Sequence, residues 1–283
     1  RAPAGPGAAG RFEGRATVLT SLEAALRRAA ELVDALRPGE MFEDADFGPR
    51  ADDPSGARAL RRSDAMAADA AALPAPEDVR WLRPAELPGQ PGAVFAAEHA
   101  AMRPGAFGDW WLVGALSCLA LRETLLFGDD ASCRDSEDIG VYPRLFWDPS
   151  FRRRGLYCFR FYKYGQWLYV IVDDRLPVAS EHSTPLCVLA EGLDDQSFQL
   201  WAPLIEKAYA KVHGAYSALW SGFVDDALRD LTAWPTEKQS IVKYAAWFAA
   251  QKQGQLDAAR EAKRAKDPEE LWAQLRAELA AGA

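Results

Sequence analysis

The sequence predicts an α+β fold, helix-rich around a buried central helix and with a small antiparallel hairpin. Three segments carry that expectation. From about Asp109 to Glu123 the residues are apolar on most helical faces, as in a helix lying inside a domain. Leu156–Phe161 and Trp167–Val172 are β-rich and flank Tyr164-Gly165, the pattern of a hairpin and its turn. Over Leu200–His213, residues Leu204, Ile205, Ala208, Tyr209 and Val212 recur on one side of a helix that Gly214 ends.

The composition bounds what such a chain does. With 283 residues and 49% hydrophobic content it can bury a sizeable core as one large domain or two small ones. Its net charge of −8 argues against a nucleic-acid footprint. Its longest apolar stretch, Trp110 to Leu121, falls short of the about 20 residues a membrane span takes. Cys118, Cys133, Cys158 and Cys187 form no CxxC, and His99, His182 and His213 are the only histidines, so a structural zinc site is not expected. A disulfide framework is not expected either, which points to a reducing compartment. Beginning at Arg1 without a secretory segment, the sequence is read as a piece of a longer chain.

Taken in order, residues 1–15 read as a flexible lead-in. Thr20 and Glu23 have capping-box spacing, and Leu22, Leu26, Ala29, Leu32, Val33 and Leu36 continue an amphipathic helix that Pro38-Gly39 stops. Residues 48–80 read as a surface excursion with a short helix at Ser63–Ala72, and Trp81–Pro104 as loop anchored by Trp81, Val94 and Phe95. Leu186–Ala190 is a further candidate strand. The tail from Glu237 reads as helical; Asp267-Pro268 starts a last helix striped by Leu271, Trp272, Leu275 and Leu279. The resulting division is 1–39, a linker and amphipathic helix; 40–236, the main body; and 237–283, a helical segment.

Six landmarks in order over about residues 40–235 resemble the protease core of calpains, papain-like cysteine proteases. They are Met41–Phe47; Trp81-Leu82-Arg83-Pro84; Gly105-Ala106-Phe107-Gly108-Asp109-Trp110-Trp111-Leu112; Phe159–Trp167; Val172–Pro177; and Trp201 with Leu204–Lys211 and Gly214-Ala215-Tyr216. The resemblance implies the first, helix-rich subdomain of that core, with the second, β-rich subdomain beyond this chain.

The same resemblance marks what chemistry is missing. A thiol protease needs a cysteine at a helix N-terminus, where the dipole and an imidazolium lower its pKa. The family pattern puts that cysteine after Gly-Asp; here Gly108-Asp109 precedes Trp110, whose indole cannot attack a carbonyl. Six residues earlier, the oxyanion glutamine is replaced by Pro104, which has no amide side chain and no N–H. His213-Gly214-Ala215-Tyr216 mimics the family's histidine segment but falls at the end of the landmark helix, where a structural role is expected. The orienting asparagine has no counterpart in a sequence without asparagine. By position, the family's calcium ligands fall on Ala101 and Gln199, neither a carboxylate, with Asp194-Asp195 close by. Asp129-Asp130 and Asp225-Asp226 read as solvated loop acids.

Cys118, Cys158 and Cys187 are expected in the core, with Cys133 exposed in an acidic loop. Trp110 has two readings: it plugs the vacant cleft, or it forms an aromatic platform for a partner's peptide. Gly108, Asp109, Trp110, Trp111 and Trp201 are the candidate lining of a residual groove. The expected protein is therefore a calpain-like docking module without protease chemistry or cofactor, bound to other chains of a larger assembly. Neither nucleic acid nor membrane insertion is expected, and its place is cytoplasmic, with cytoskeletal and ciliary assemblies as candidates. The rivals are a cysteine endopeptidase completed outside this chain and a peptide-binding decoy.

Overall fold

A computed structural model of the protein describes residues 16–60, 73–87, 101–128, 140–180, 185–191, 198–238 and 268–280. The chain divides into two compact units, one ending at Trp234 and one from Pro235. The expected helix at 63–72, Val94, Phe95, His99, Asp129-Asp130, Cys133, His182, Asp194-Asp195 and Asp267 lie outside the described residues.

The first unit is built on a hairpin. Strands β4 (Leu156–Lys163) and β5 (Gln166–Asp173) pair antiparallel from Leu156 opposite Asp173 to Lys163 opposite Gln166. Tyr164 (φ 55) and Gly165 (φ 80) form the two-residue turn; both are left-handed, which matches the twist of the strands they join. Every residue of Leu156–Phe161 and Leu168–Asp173 is buried, so both faces of the hairpin are covered. Strand β1 (Val18–Leu19) extends this sheet along β5. Helix α1 (Leu22–Asp34) packs against the hairpin with Ala25 and Ala29 fully buried. Its cap is Ser21, whose Oγ accepts the Ala24 N–H at 3.2 Å. The expected Thr20–Glu23 box is thus displaced by one residue, because the residue next to the first turn is the one whose side chain reaches it.

The sheet content exceeds one hairpin. Strand β2 (Val79–Leu82) pairs with β6 (Leu176–Ala179), and β3 (Met102–Arg103) with β7 (Leu189–Glu191), which in turn pairs with β8 (Phe198–Gln199). β2 and β3 fall in the stretch expected to be loop. Strands of two to four residues have too little alternation to read from sequence. The candidate strand at Leu186–Ala190 is present as β7, three residues later at its start.

Helices α2 (Ala57–Leu60), α3 (Trp110–Ala120), α4 (Glu123–Phe127) and α5 (Pro149–Arg152) lead to α6 (Trp201–His213) and α7 (Val224–Thr232). α6 is buried from Trp201 to Val212, on every side rather than one. Its two lysines tolerate this because both are satisfied internally: Lys207 Nζ donates to Asp173 and to the Arg175 carbonyl, and Lys211 Nζ to Asp44, Thr17 and the Ile171 carbonyl. Gly214 (φ 102) ends α6 in the left-handed region.

α3 is less enclosed than expected. Leu112, Val113, Ala115, Leu116 and Leu119 are buried, but Trp110, Cys118 and Leu121 are exposed. Positions 110, 114, 118 and 121 fall on one helical stripe, and that stripe is made of Trp, Gly, Cys and Leu. An outward face without charge is what made the helix look buried all round. In the second unit, α8 (Pro268–Ala280) leaves Trp272 and Leu275 of its expected stripe exposed. No described helix is long and apolar enough to cross a membrane.

Candidate functional site

The loop before α3 is clamped from behind. The Ala106 N–H donates to the Leu186 carbonyl at 2.7 Å, and Phe107 stacks on Tyr216 with centroids 4.2 Å apart. A Cβ on Gly105 would lie 2.1 Å from the Leu186 carbonyl oxygen, so only glycine lets the two backbones approach this closely. Gly108 (φ 71) carries the Trp220 ring where its own side chain would be. α3 then starts at Asp109, whose carbonyl accepts the N–H groups of Leu112 and Val113.

The Asp109 side chain does not cap this helix. It is buried and turned inward, against the equally buried Glu206 of α6. Glu206 Oε2 accepts the Val188 N–H at 2.6 Å, whereas Glu206 Oε1 and Asp109 Oδ2 meet no donor among the described residues. Burial pushes the Asp109 carboxyl up to about 6, with the neighbouring Glu206 pulling the other way. Burial first, and the Asp109 charge second, push Glu206 well above the usual carboxylate range. Two acids therefore meet just behind the first residue of α3. The Leu204–Lys211 segment showed the glutamate, but nothing local showed that it faces Asp109.

Trp110, the first residue of α3, is 67% exposed. This chain therefore does not enclose the ring, and the exposure is compatible with both readings of Trp110, since the facing wall of the cleft is expected beyond this chain. Trp111 is half-buried, with Nε1 donating to the Leu219 carbonyl at 2.8 Å and its ring edge-on to Tyr209. Phe223 and Val224, which open α7, are exposed too, and Val224 lies against Gly114 of α3. Trp220, Phe223 and Val224 thus belong with Trp110 on one apolar rim. Their isolated apolar positions, without period or motif, carried no signal in the sequence.

Other candidates separate from that rim. Trp201 is buried, edge-on to Phe127, with Nε1 donating to Gln199 Oε1 at 2.9 Å, so it is a core residue and not a groove wall. Asp109 likewise faces inward. Pro104 is half-buried on the loop, two residues ahead of the clamped Ala106. Ala101 and Gln199 do come together: the Ala101 carbonyl accepts the Glu191 N–H, and Gln199 Nε2 donates to the Glu191 carbonyl. The amide of Gln199 is engaged by backbone and indole, and no cluster of three acidic, histidine or cysteine ligands occurs among the described residues. His213, the last residue of α6, packs against Tyr209.

The thiols divide as well. Cys158 and Cys187 are buried, and burial raises both well above the ordinary thiol range, which removes them as nucleophiles at neutral pH. Cys118 is exposed rather than in the core, because position 118 lies on the outward stripe of α3.

The family model for calpain family cysteine proteases matches residues 42–283. The chain belongs to the calpain family. Among curated calpains it is 34% identical to calpain-8 of Rattus norvegicus over 173 residues, 60% of this chain and 22% of that protein. It is 32% identical to the calpain-1 catalytic subunit of Mus musculus over 166 residues, 58% of this chain and 21% of that protein. For calpain clp-1 of Caenorhabditis elegans the identity is 33% over 165 residues, 57% of this chain and 18% of that protein. The chain thus spans about a fifth of the length of these calpains. The mixed fold, with eight helices and small antiparallel sheets among the described residues, is that of a calpain protease core domain.

Proposed function

We propose that this calpain-family domain lacks protease chemistry and works as a docking module for other protein chains of a larger assembly. The observation that carries the reading is Trp110 at the open N-terminus of α3, the position at which the resemblance expects the nucleophile. An indole there holds no acyl group, and Pro104 offers no oxyanion donor. The two buried thiols are held protonated inside the core, and Cys118 sits two turns along α3.

Docking is supported by the rim itself. Trp110, Leu121, Phe223 and Val224 are exposed apolar residues on α3 and the start of α7, and indole and phenyl rings anchor interfaces well. The exposure of Trp110 also favours a second reading, capture of extended peptides along this rim.

The test uses the full-length protein with calcium and casein. No cleavage is expected; calcium-dependent cleavage that thiol alkylation abolishes would overturn the reading. For docking, an extended-peptide library is screened against the wild-type chain and Trp110→Ala. Binding lost in the variant supports the peptide reading, and binding unaffected by it removes Trp110 as the anchor.

A further inference from the structure

We propose that Asp109 and Glu206 are joined through a single shared proton, and that loss of this proton frees the 104–110 loop from α6. The inference is independent of any docking partner. It rests on where the two carboxyls lie and on what surrounds them.

Both side chains are buried, and the two oxygens without a donor, Asp109 Oδ2 and Glu206 Oε1, belong to the two carboxyls that face each other. A carboxylate only accepts; a protonated carboxyl also donates. One proton on Glu206 Oε1 therefore satisfies the pair, while Oε2 keeps the Val188 N–H. Asp109, at the start of α3, is the better seat for the remaining charge, because a helix N-terminus favours an anion.

Among the described residues, no cation figures among the main influences on either carboxyl. Lys207, next to Glu206 on α6, has its Nζ engaged by Asp173 and the Arg175 carbonyl. Cys187, whose thiol faces Glu206, and Tyr216, after α6, are buried acids whose own charged forms are disfavoured. Two adjacent carboxylates here would repel without screening. The loop is held by uncharged contacts alone, Phe107 on Tyr216, Trp220 over Gly108 and one hydrogen bond from Ala106, whereas α6 is buried along its length and tied by Lys207 and Lys211. The loop therefore yields, and Trp110 moves with it.

The full chain is followed from pH 5 to 9 by infrared spectroscopy and by hydrogen exchange at Ala106, corrected for the intrinsic rate. In wild type a protonated-carboxyl band persists at pH 7, and its loss coincides with loss of Ala106 protection. Glu206→Gln keeps a donor toward Asp109 and an acceptor for Val188; it should lack that band and hold Ala106 protected at high pH. Its folding equilibrium should also escape the decline of about tenfold per pH unit that a proton held only by the folded state imposes. An unchanged band and slope in Glu206→Gln would overturn the proposal. Should that variant not fold, Ala106 protection in wild type that fails to follow the band overturns it equally.

Discussion

Lys211 Nζ lies 2.5 Å from Asp44 Oδ2, across 167 residues of sequence, and both side chains are fully buried. The same ammonium donates to Thr17 Oγ1 and to the Ile171 carbonyl, so one charge ties the N-terminal segment, strand β5 and helix α6 together. Burial lowers the Lys211 pKa while Asp44 opposes the loss of its proton. Removing the lysine leaves Asp44 buried without its partner. We expect Lys211→Met to cost about 3–5 kcal/mol, and the Lys211→Met/Asp44→Leu pair clearly less than the sum of the single changes. Denaturant unfolding of the four chains checks this; additive costs would refute it.

Acid should weaken the domain through Asp173. Burial raises its pKa, but Lys207 and then Arg175 outweigh burial and hold it at about 2, below the ordinary 3.8. A depressed carboxylate stabilises the fold above its unfolded pKa and ceases to as pH falls toward the folded one. Over that interval, pH 4 down to 2, about 2–3 kcal/mol should be lost. Asp173→Asn should flatten this acid limb in pH-resolved unfolding while lowering stability at neutral pH.

The loop before α3 depends on the absence of side chains. Gly105→Ala would place Cβ 2.1 Å from the Leu186 carbonyl oxygen and 2.5 Å from the Cys187 carbonyl carbon, both backbone atoms that cannot swing away. A cost of about 1–3 kcal/mol is expected, with loss of exchange protection at Ala106. Gly165→Ala is the contrast: nothing lies within 4 Å of its Cβ, so only the left-handed backbone penalty of about 1 kcal/mol applies. Equal effects of the two on Ala106 would contradict the close-approach argument.

Two tryptophans separate surface from core. Trp110→Ala should leave unfolding free energy within about 0.5 kcal/mol of wild type, because the ring is exposed. Trp201→Ala, at a buried position bonded to Gln199, should cost about 3–5 kcal/mol. Thermal and denaturant unfolding distinguish them; a strongly destabilised Trp110→Ala would contradict the exposed placement of the ring.

The long elements were legible in the sequence for local reasons. A thirteen-residue helix ended by glycine, a hairpin with Tyr-Gly at its turn and an amphipathic first helix each repeat a period often enough to be read. So were the landmarks that resemble calpains, among them the Trp110 and Pro104 positions. The two-residue strands were not, since their pairing is set by partners elsewhere in the chain. Nor was the outward stripe of α3, because Trp, Gly, Cys and Leu there look no different from a core.

What the sequence by itself determined, then, is which residues the chain possesses and lacks at each landmark, and where its long periodic elements run. Only the tertiary structure decided what those residues face. It turned Trp110 outward and Trp201 inward, brought Ala101 and Gln199 to the same strand, and set Asp109 against Glu206. Phe42, Arg83, Asp173, Asp174 and Lys207 read separately as motif positions; the fold ties Arg83 to Asp174 and the Phe42 carbonyl and Lys207 to Asp173, and links the two groups through Glu43 and Arg175. The reason is physical: periodicity reports how much of an element is apolar, whereas the partner of a buried charge is chosen by packing between segments distant in the chain.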